Sequence, residues 1–380
     1  MMNIKNALCF NLVICAISVL LLSPKLAKAQ TSGNGVQATI PKVEIPNTEL
    51  RHLKSTVRGQ DYDVYIHLPG NYNNADSIYP VIYLLDAQWD FPLLTAVYGQ
   101  QYYDGFLPGV MLVGITWGGE NPDYDALRAG DFTPTHLDRA PLSGKANDFL
   151  AFIKRELIPF VESHYRAGKD RTLMGSSLGG LFTLYALFEE PALFHRYVLT
   201  SPAVGWDNYI IYQYEKDYAK NTSRPLVKLY MAEGGLEGGV DDFLKLADHL
   251  KAKNNPGMEV QTRVLEGMGH SGGKAEGYTR GLQAVFKRPS MRLAEEVLKR
   301  YAGVYQSEAG IRLKIEREDE HLVLRYSGNS TYVLHAETDK DFYYTGELLN
   351  IHFAENGEGD ITGLQLDRFN GSDSFQRMNQ

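Results

Sequence analysis

Between Tyr79 and Met231 the chain alternates short, almost unbroken apolar runs with helical periods, and this alternation restricts the fold more than any other feature. The runs are Tyr79-Pro80-Val81-Ile82-Tyr83-Leu84-Leu85-Asp86, Met111-Leu112-Val113-Gly114-Ile115, Arg171-Thr172-Leu173-Met174, Tyr197-Val198-Leu199-Thr200 and Val227-Lys228-Leu229-Tyr230-Met231. A strand that is apolar on both sides must be buried on both faces, as in a parallel sheet covered by helices. Val64 to Leu68, closed by Pro69-Gly70, adds a strand with a turn. Phe149, Phe152, Ile153, Leu157, Ile158 and Val161 fall at helical spacing over 148 to about 164, and 181–188 and 243–250 behave alike. Strands alternating with helices require crossover units, so the expected fold class is α/β.

The pattern changes near residue 288. Arg288-Pro289-Ser290 reads as a linker and 292–301 as a short helix. Short strands follow at 311–315, 322–326, 332–334, 342–344, 349–353 and 361–366, with turn signals at Gly328-Asn329, Asn356-Gly357 and Asn370-Gly371. At the other end, Lys5, an apolar stretch over 7–22 and Ala27-Lys28-Ala29 form the charged, apolar and small-residue regions of a signal peptide, with Gln30 as the mature N-terminus. The expected organisation is a signal peptide over 1–29, an exposed lead-in over 30–54, an α/β domain over 55–287, a linker over 288–295 and a small all-β domain over 296–380. The mature protein is expected to be exported, periplasmic or secreted, with no membrane span. Both cysteines, Cys9 and Cys15, lie in the leader, so disulfides, thiolate metal sites and cysteine nucleophiles are not expected. A formal charge of −8 and a pI near 5.7 argue against a nucleic-acid partner.

Gly175-Ser176-Ser177-Leu178-Gly179-Gly180 follows the buried run ending at Met174 and precedes a helical segment. This is the context of a nucleophile elbow, in which glycines permit a sharp turn and the central serine projects from the strand end. Ser177 holds the central position. Backbone N–H groups of the following helix would face an oxyanion formed there. A serine needs a base, and of the ten histidines only His270 sits in a glycine-rich loop just after a strand-like segment. The acid should come between serine and histidine. Glu237, flanked by glycines in Gly234-Gly235-Leu236-Glu237-Gly238-Gly239, is the first candidate and Asp241 the second. Ala87 and Gln88 are candidates for a second oxyanion donor. Trp89, Trp117 and Trp206 fall just beyond strand ends, where they would line a substrate pocket or pack in the core. Arg128 and Asp131 would bind a polar substrate group or pair with each other.

Several of these segments recur together, in order, in one family. Residues 79–86, Val113-Gly114-Ile115, Arg128 with Asp131-Phe132-Thr133-Pro134, Leu157-Ile158-Pro159-Phe160-Val161, 174–180, Phe194-His195-Arg196-Tyr197 and Ser201-Pro202 resemble the bacterial esterase family of α/β-hydrolases. That family includes ferric-enterobactin-type siderophore esterases, feruloyl esterases, S-formylglutathione hydrolases and mycolyltransferases. The resemblance spans about 45–287 and is nearest to the siderophore-esterase-like branch. It implies a triad of Ser177, Glu237 and His270, with the Leu178 N–H in the oxyanion hole. Ser176 departs from the histidine common in relatives, and Ala203-Val204-Gly205-Trp206 from a more aromatic run. The tail, through Tyr301-Ala302-Gly303-Val304-Tyr305, resembles a β domain appended to secreted serine hydrolases.

The expectation is a serine esterase that cleaves a carboxylic ester through an acyl-serine intermediate, with no metal or organic cofactor. The substrate would be a small molecule, a siderophore or another aromatic or acyl ester. Acyl transfer by the same fold, and a non-catalytic envelope module that binds its ligand, are the alternatives. The β domain is a candidate for oligomerisation.

Overall fold

A computed structural model describes residues 42–74, 77–220, 224–253, 257–326 and 330–378. The expected signal peptide lies outside the described residues. The apolar runs form β3 to β7 of an eight-stranded sheet: β1 (Thr48–Lys54), β2 (Asp61–His67), β3 (Tyr79–Leu84), β4 (Met111–Trp117), β5 (Ala167–Ser176), β6 (Arg196–Thr200), β7 (Val227–Gly234) and β8 (Met258–Leu265). Their spatial order is β1-β2-β4-β3-β5-β6-β7-β8. β1–β2 and β2–β4 pair antiparallel, and every pair from β4–β3 to β7–β8 is parallel.

Among the described residues eight α-helices accompany the sheet: α1 (Ala87–Tyr103), α2 (Tyr124–Phe132), α3 (Ala146–Phe152), α4 (Ile158–His164), α5 (Leu178–Glu189), α6 (Ile211–Ala219), α7 (Val240–Ala252) and α8 (Gly273–Val285). The two-residue repeat of each strand divides its side chains between two cores. Val81 and Tyr83 of β3 join one core with residues of α3 to α7, among them Phe149, Phe182 and Leu246. Ile82 and Leu84 join the other, with Phe91 and Leu94 of α1 and Tyr278 and Leu282 of α8. This is the α/β-hydrolase fold. The helix expected over 148–164 is interrupted by a π-helical turn at Ile153–Leu157. Pro159 has no N–H to donate and its ring crowds the carbonyl one turn back, and the wider turn relieves that crowding.

The end of the lead-in differs from expectation. Residues 48–54 form an edge strand, β1, in register with β2 from Thr48↔His67 to Lys54↔Asp61. Most of its side chains are exposed or half-buried, so no hydrophobic alternation marks it in the sequence.

After α9 (Glu295–Tyr301) the chain forms a closed antiparallel barrel. Its strands are β9 (Gly303–Ser307), β10 (Arg312–Glu318), β11 (His321–Tyr326), β12 (Ser330–Ala336), β13 (Asp341–Tyr344), β14 (Leu349–Glu355), β15 (Ile361–Arg368) and β16 (Gly371–Arg377). β9 pairs with both β10 and β16, and so closes the barrel and removes free edges. Tyr305, Leu313, Leu324, Leu349, Phe353 and Phe375 fill its interior, and the Tyr301 ring of α9 packs tilted against Phe353 with centroids 4.4 Å apart. The barrel docks on the end of α1: Leu348 N–H donates to Tyr103 O (2.7 Å) and Gly346 N–H to Asp104 O (3.0 Å). Among the described residues no helix is long and apolar enough to cross a membrane.

Candidate active site

Ser177 connects β5 to α5 with φ 60° and ψ −119°. A positive φ costs a residue with a side chain about 1–3 kcal/mol, and persists only where its surroundings dictate it. Here they do. Ser177 N–H donates to Thr200 O (3.0 Å), and Ser177 O accepts from Leu181 N–H (3.0 Å) and Ala203 N–H (3.1 Å). Gly175 is required by close approach, because a Cβ there would lie 2.5 Å from Gly179 O. Ser176 is buried at the end of β5, whereas Ser177 is half-buried.

Ser177, Ser201, Glu237 and His270 follow the carboxyl ends of the adjacent strands β5, β6, β7 and β8. Ligands bind at this edge of open α/β sheets. Glu237 is the hub of the group. Its Oε2 lies 2.5 Å from His270 Nδ1, and its Oε1 accepts from Ser201 Oγ (2.6 Å) and Gly234 N–H (3.0 Å). Partial burial alone would raise the Glu237 carboxyl. The hydrogen bonds from Ser201, His270 and Gly234, with the charge of His270, outweigh it and hold the group below the usual value. Asp241, the second candidate, is exposed in the first turn of α7, and Glu237 is the carboxylate in contact with His270.

Leu178, Ala87 and Gln88 are the opening residues of α5 and α1. The first N–H groups of a helix have no intrahelical partner and carry partial positive charge. β3 and β5 are neighbours, so the starts of the two helices that follow them are brought together. Asp86, at φ 55°, turns the chain into α1. Arg128 clamps its carboxylate with two bonds, Nε to Oδ1 (3.0 Å) and Nη2 to Oδ2 (2.7 Å).

Arg128 and Asp131 therefore do not pair with each other. Asp131 is fully buried and accepts from Arg58 Nε (2.6 Å), Tyr62 OH (2.7 Å) and Trp117 Nε1 (2.7 Å). Trp117 is a core residue and not a pocket wall, since its ring is 2% exposed and its N–H is used by Asp131. Trp89 is 48% exposed, with Tyr124 edge-on at 6.1 Å and the Arg128 guanidinium 5.6 Å from its ring. Trp206 is half-buried and donates to Thr135 Oγ1 (3.1 Å).

Two residues of this region escape sequence reasoning. Ser201 is buried, has φ 47°, and spends its hydroxyl on Glu237. Glu233, near the end of β7, is 4% exposed, and its Oε2 has no hydrogen-bond partner among the described residues. Burial, and then the neighbouring charge of Glu237, push its carboxyl up to about 7. The Ser-Pro pair after a buried strand marks Ser201. Nothing local marks Glu233, whose environment comes from packing against the Glu237 loop.

Known proteins resemble this chain in sequence and in fold. The family described as "Putative esterase" matches residues 55–307. The ferri-bacillibactin esterase BesA of Bacillus subtilis is 30% identical over 266 residues, 64% of this chain and 91% of that one. The BES protein of Bacillus cereus superposes with a TM-score of 0.60 at 26% identity, covering 65% of this chain and 98% of that one. An IroE-like serine hydrolase of Shewanella oneidensis gives 0.57 at 25% identity, covering 63% and 80%. A mostly parallel sheet with an elbow after its strand β5, a family match over most of the chain and a relative matched over nearly its whole length lead to one conclusion: the chain belongs to the esterase family, in its siderophore-esterase-like branch, and is a carboxylic-ester hydrolase.

Proposed function

We propose that the protein hydrolyses its ester through an acyl-Ser177 intermediate, and that the substrate is a siderophore ester outside the cytoplasm. The observation that carries the mechanism is the 2.5 Å contact between Glu237 and His270, at the same edge of the sheet as the Ser177 elbow. Glu237 fixes the tautomer with the proton on Nδ1, leaving Nε2 free to act as base. His270 takes the Ser177 proton as Oγ bonds to the carbonyl carbon and the π electrons move onto oxygen. N–H groups of Leu178 and of Ala87 or Gln88 receive that oxyanion, and one such donor is worth about 3–4 kcal/mol. The intermediate then collapses. The ester C–O bond breaks and the leaving alkoxide takes the proton from His270. Water repeats the sequence to release the acid and restore Ser177.

Two lines support the substrate. The relatives named above include one named for ferri-bacillibactin. Trp89 and Tyr124, beside the cationic Arg128, suit an aromatic, anionic ligand. The leader over 1–29 supports export.

The test is turnover of a ferric tricatecholate trilactone, compared with 4-nitrophenyl acetate and methyl ferulate, by wild type and Ser177→Ala. Preferred cleavage of the trilactone, abolished in the variant, is expected. Equal turnover by both proteins would overturn the serine mechanism, and preference for methyl ferulate would overturn the substrate.

A further inference from the structure

The barrel carries a cavity of about 420 Å³ at its mouth, where it meets the end of α1. That volume lies in the range of small-molecule sites, which favour domain junctions and the mouths of β-barrels. α1 has 17 residues, so it is about 25 Å long, with Ala87 and Gln88 at one end and the cavity at the other. The cavity is therefore separate from the Ser177 site.

Its walls have a definite chemistry. The floor is Leu324, Leu349 and Leu366, which belong to the barrel core. Two residues further along their strands, on the same inward rows, Leu324 gives way to Tyr326 and Leu366 to Arg368. Tyr103 and Phe369 form an aromatic rim with ring centroids 5.3 Å apart, and both are more than half exposed. The Arg368 guanidinium lies 5.2 Å from the Tyr326 ring. Its Nη2 donates to Asp373 (2.5 Å) and its Nη1 to Tyr326 OH (3.3 Å). Its Nε is buried and without a partner among the described residues. A guanidinium has five donors, and a buried donor left unpaired costs about 1–3 kcal/mol. Glu347, hydrogen-bonded to Tyr332, also lines the cavity and disfavours a second negative charge.

We propose that the barrel mouth is a second small-molecule site, for a planar aromatic monocarboxylate whose ring lies among Tyr103, Tyr326 and Phe369 and whose carboxylate pairs with Arg368. The leucine floor excludes water from the ring, and the Arg368 guanidinium in the cavity wall sets the polarity of the ligand.

Calorimetric titration of the full mature protein tests this with 4-hydroxybenzoate, 4-hydroxybenzamide and phenyl phosphate. Saturable binding of 4-hydroxybenzoate is expected in wild type and in Ser177→Ala alike. Binding should be weaker by about tenfold or more for the amide and the phosphate, and in Arg368→Gln, where a charge-assisted bond is lost. Phe369→Ala, at an exposed position, should weaken binding with circular dichroism and aryl-ester turnover unchanged. Absence of saturable binding, or binding that neither substitution alters, would overturn the proposal.

Discussion

Glu237 divides its two oxygens between two tasks: Oε2 meets His270 Nδ1 at 2.5 Å, and Oε1 is held by Ser201 Oγ at 2.6 Å and Gly234 N–H at 3.0 Å. The carboxylate is thus fixed from behind while it orients the imidazole in front. If His270 is the base, this geometry has measurable consequences.

Replacing Glu237 by Gln keeps the shape and removes the charge that stabilises the imidazolium. In comparable triads the loss of the acid costs about 10⁴ in kcat. Glu237→Gln is expected to lower kcat by roughly 10³–10⁴ with little change in KM, and Asp241→Asn to leave both near wild type. Steady-state kinetics on an aryl ester decides between them, and the reverse order would exchange the two carboxylates.

Ser201→Ala removes a hydrogen bond to a charged group, worth about 1.5–3 kcal/mol net. Because that bond stabilises ionised Glu237, its loss raises the Glu237 carboxyl. About a tenfold fall in kcat/KM is expected, with the acid limb of the pH profile moved to higher pH. An unmoved limb would mean that Ser201 matters only for packing.

Glu233 makes stability depend on pH. Below 4.5, its ordinary value, folded and unfolded chains both hold the proton. Between 4.5 and about 7 the unfolded chain releases it while the folded chain keeps it, so stability is lost as pH rises through this window. The loss is on the order of 3 kcal/mol. Glu233→Gln escapes it, so urea unfolding should show the variant gaining on wild type between pH 4.5 and 8. A pH-independent difference would contradict this.

The Arg128–Asp86 clamp holds the turn into α1. Breaking a buried pair from one side costs about 3–5 kcal/mol, because the remaining charge is stranded. Arg128→Met is expected to lower Tm markedly, and Arg128→Met with Asp86→Asn to recover part of the loss. A double variant no more stable than the single one would show that the clamp is not the source of the effect.

The parallel strands and the elbow were legible because burial on both faces leaves a continuous apolar run, and because Gly175 and Ser177 answer to local geometry. β1, β9 and β16 were not legible. Their residues are mostly polar and their stability comes from pairing with distant strands, as in Gly-Ser-Asp-Ser-Phe-Gln-Arg of β16, where Phe375 is the buried residue. Long-range partners were equally hidden. Arg128 and Asp131 are close in sequence, yet one binds Asp86 and the other Arg58. The tryptophans look alike in the sequence, and only the packing of α1 and β4 separates exposed Trp89 from buried Trp117.

The central claim is that Ser177 is the activated nucleophile. It is tested most directly by treating the mature protein with a fluorophosphonate probe and mapping the labelled peptide, with Ser177→Ala and His270→Ala alongside. Labelling at Ser177, lost in the first variant and strongly reduced in the second, is the expected result. A folded protein that stays unlabelled at Ser177, under conditions that label a known esterase, would contradict the account.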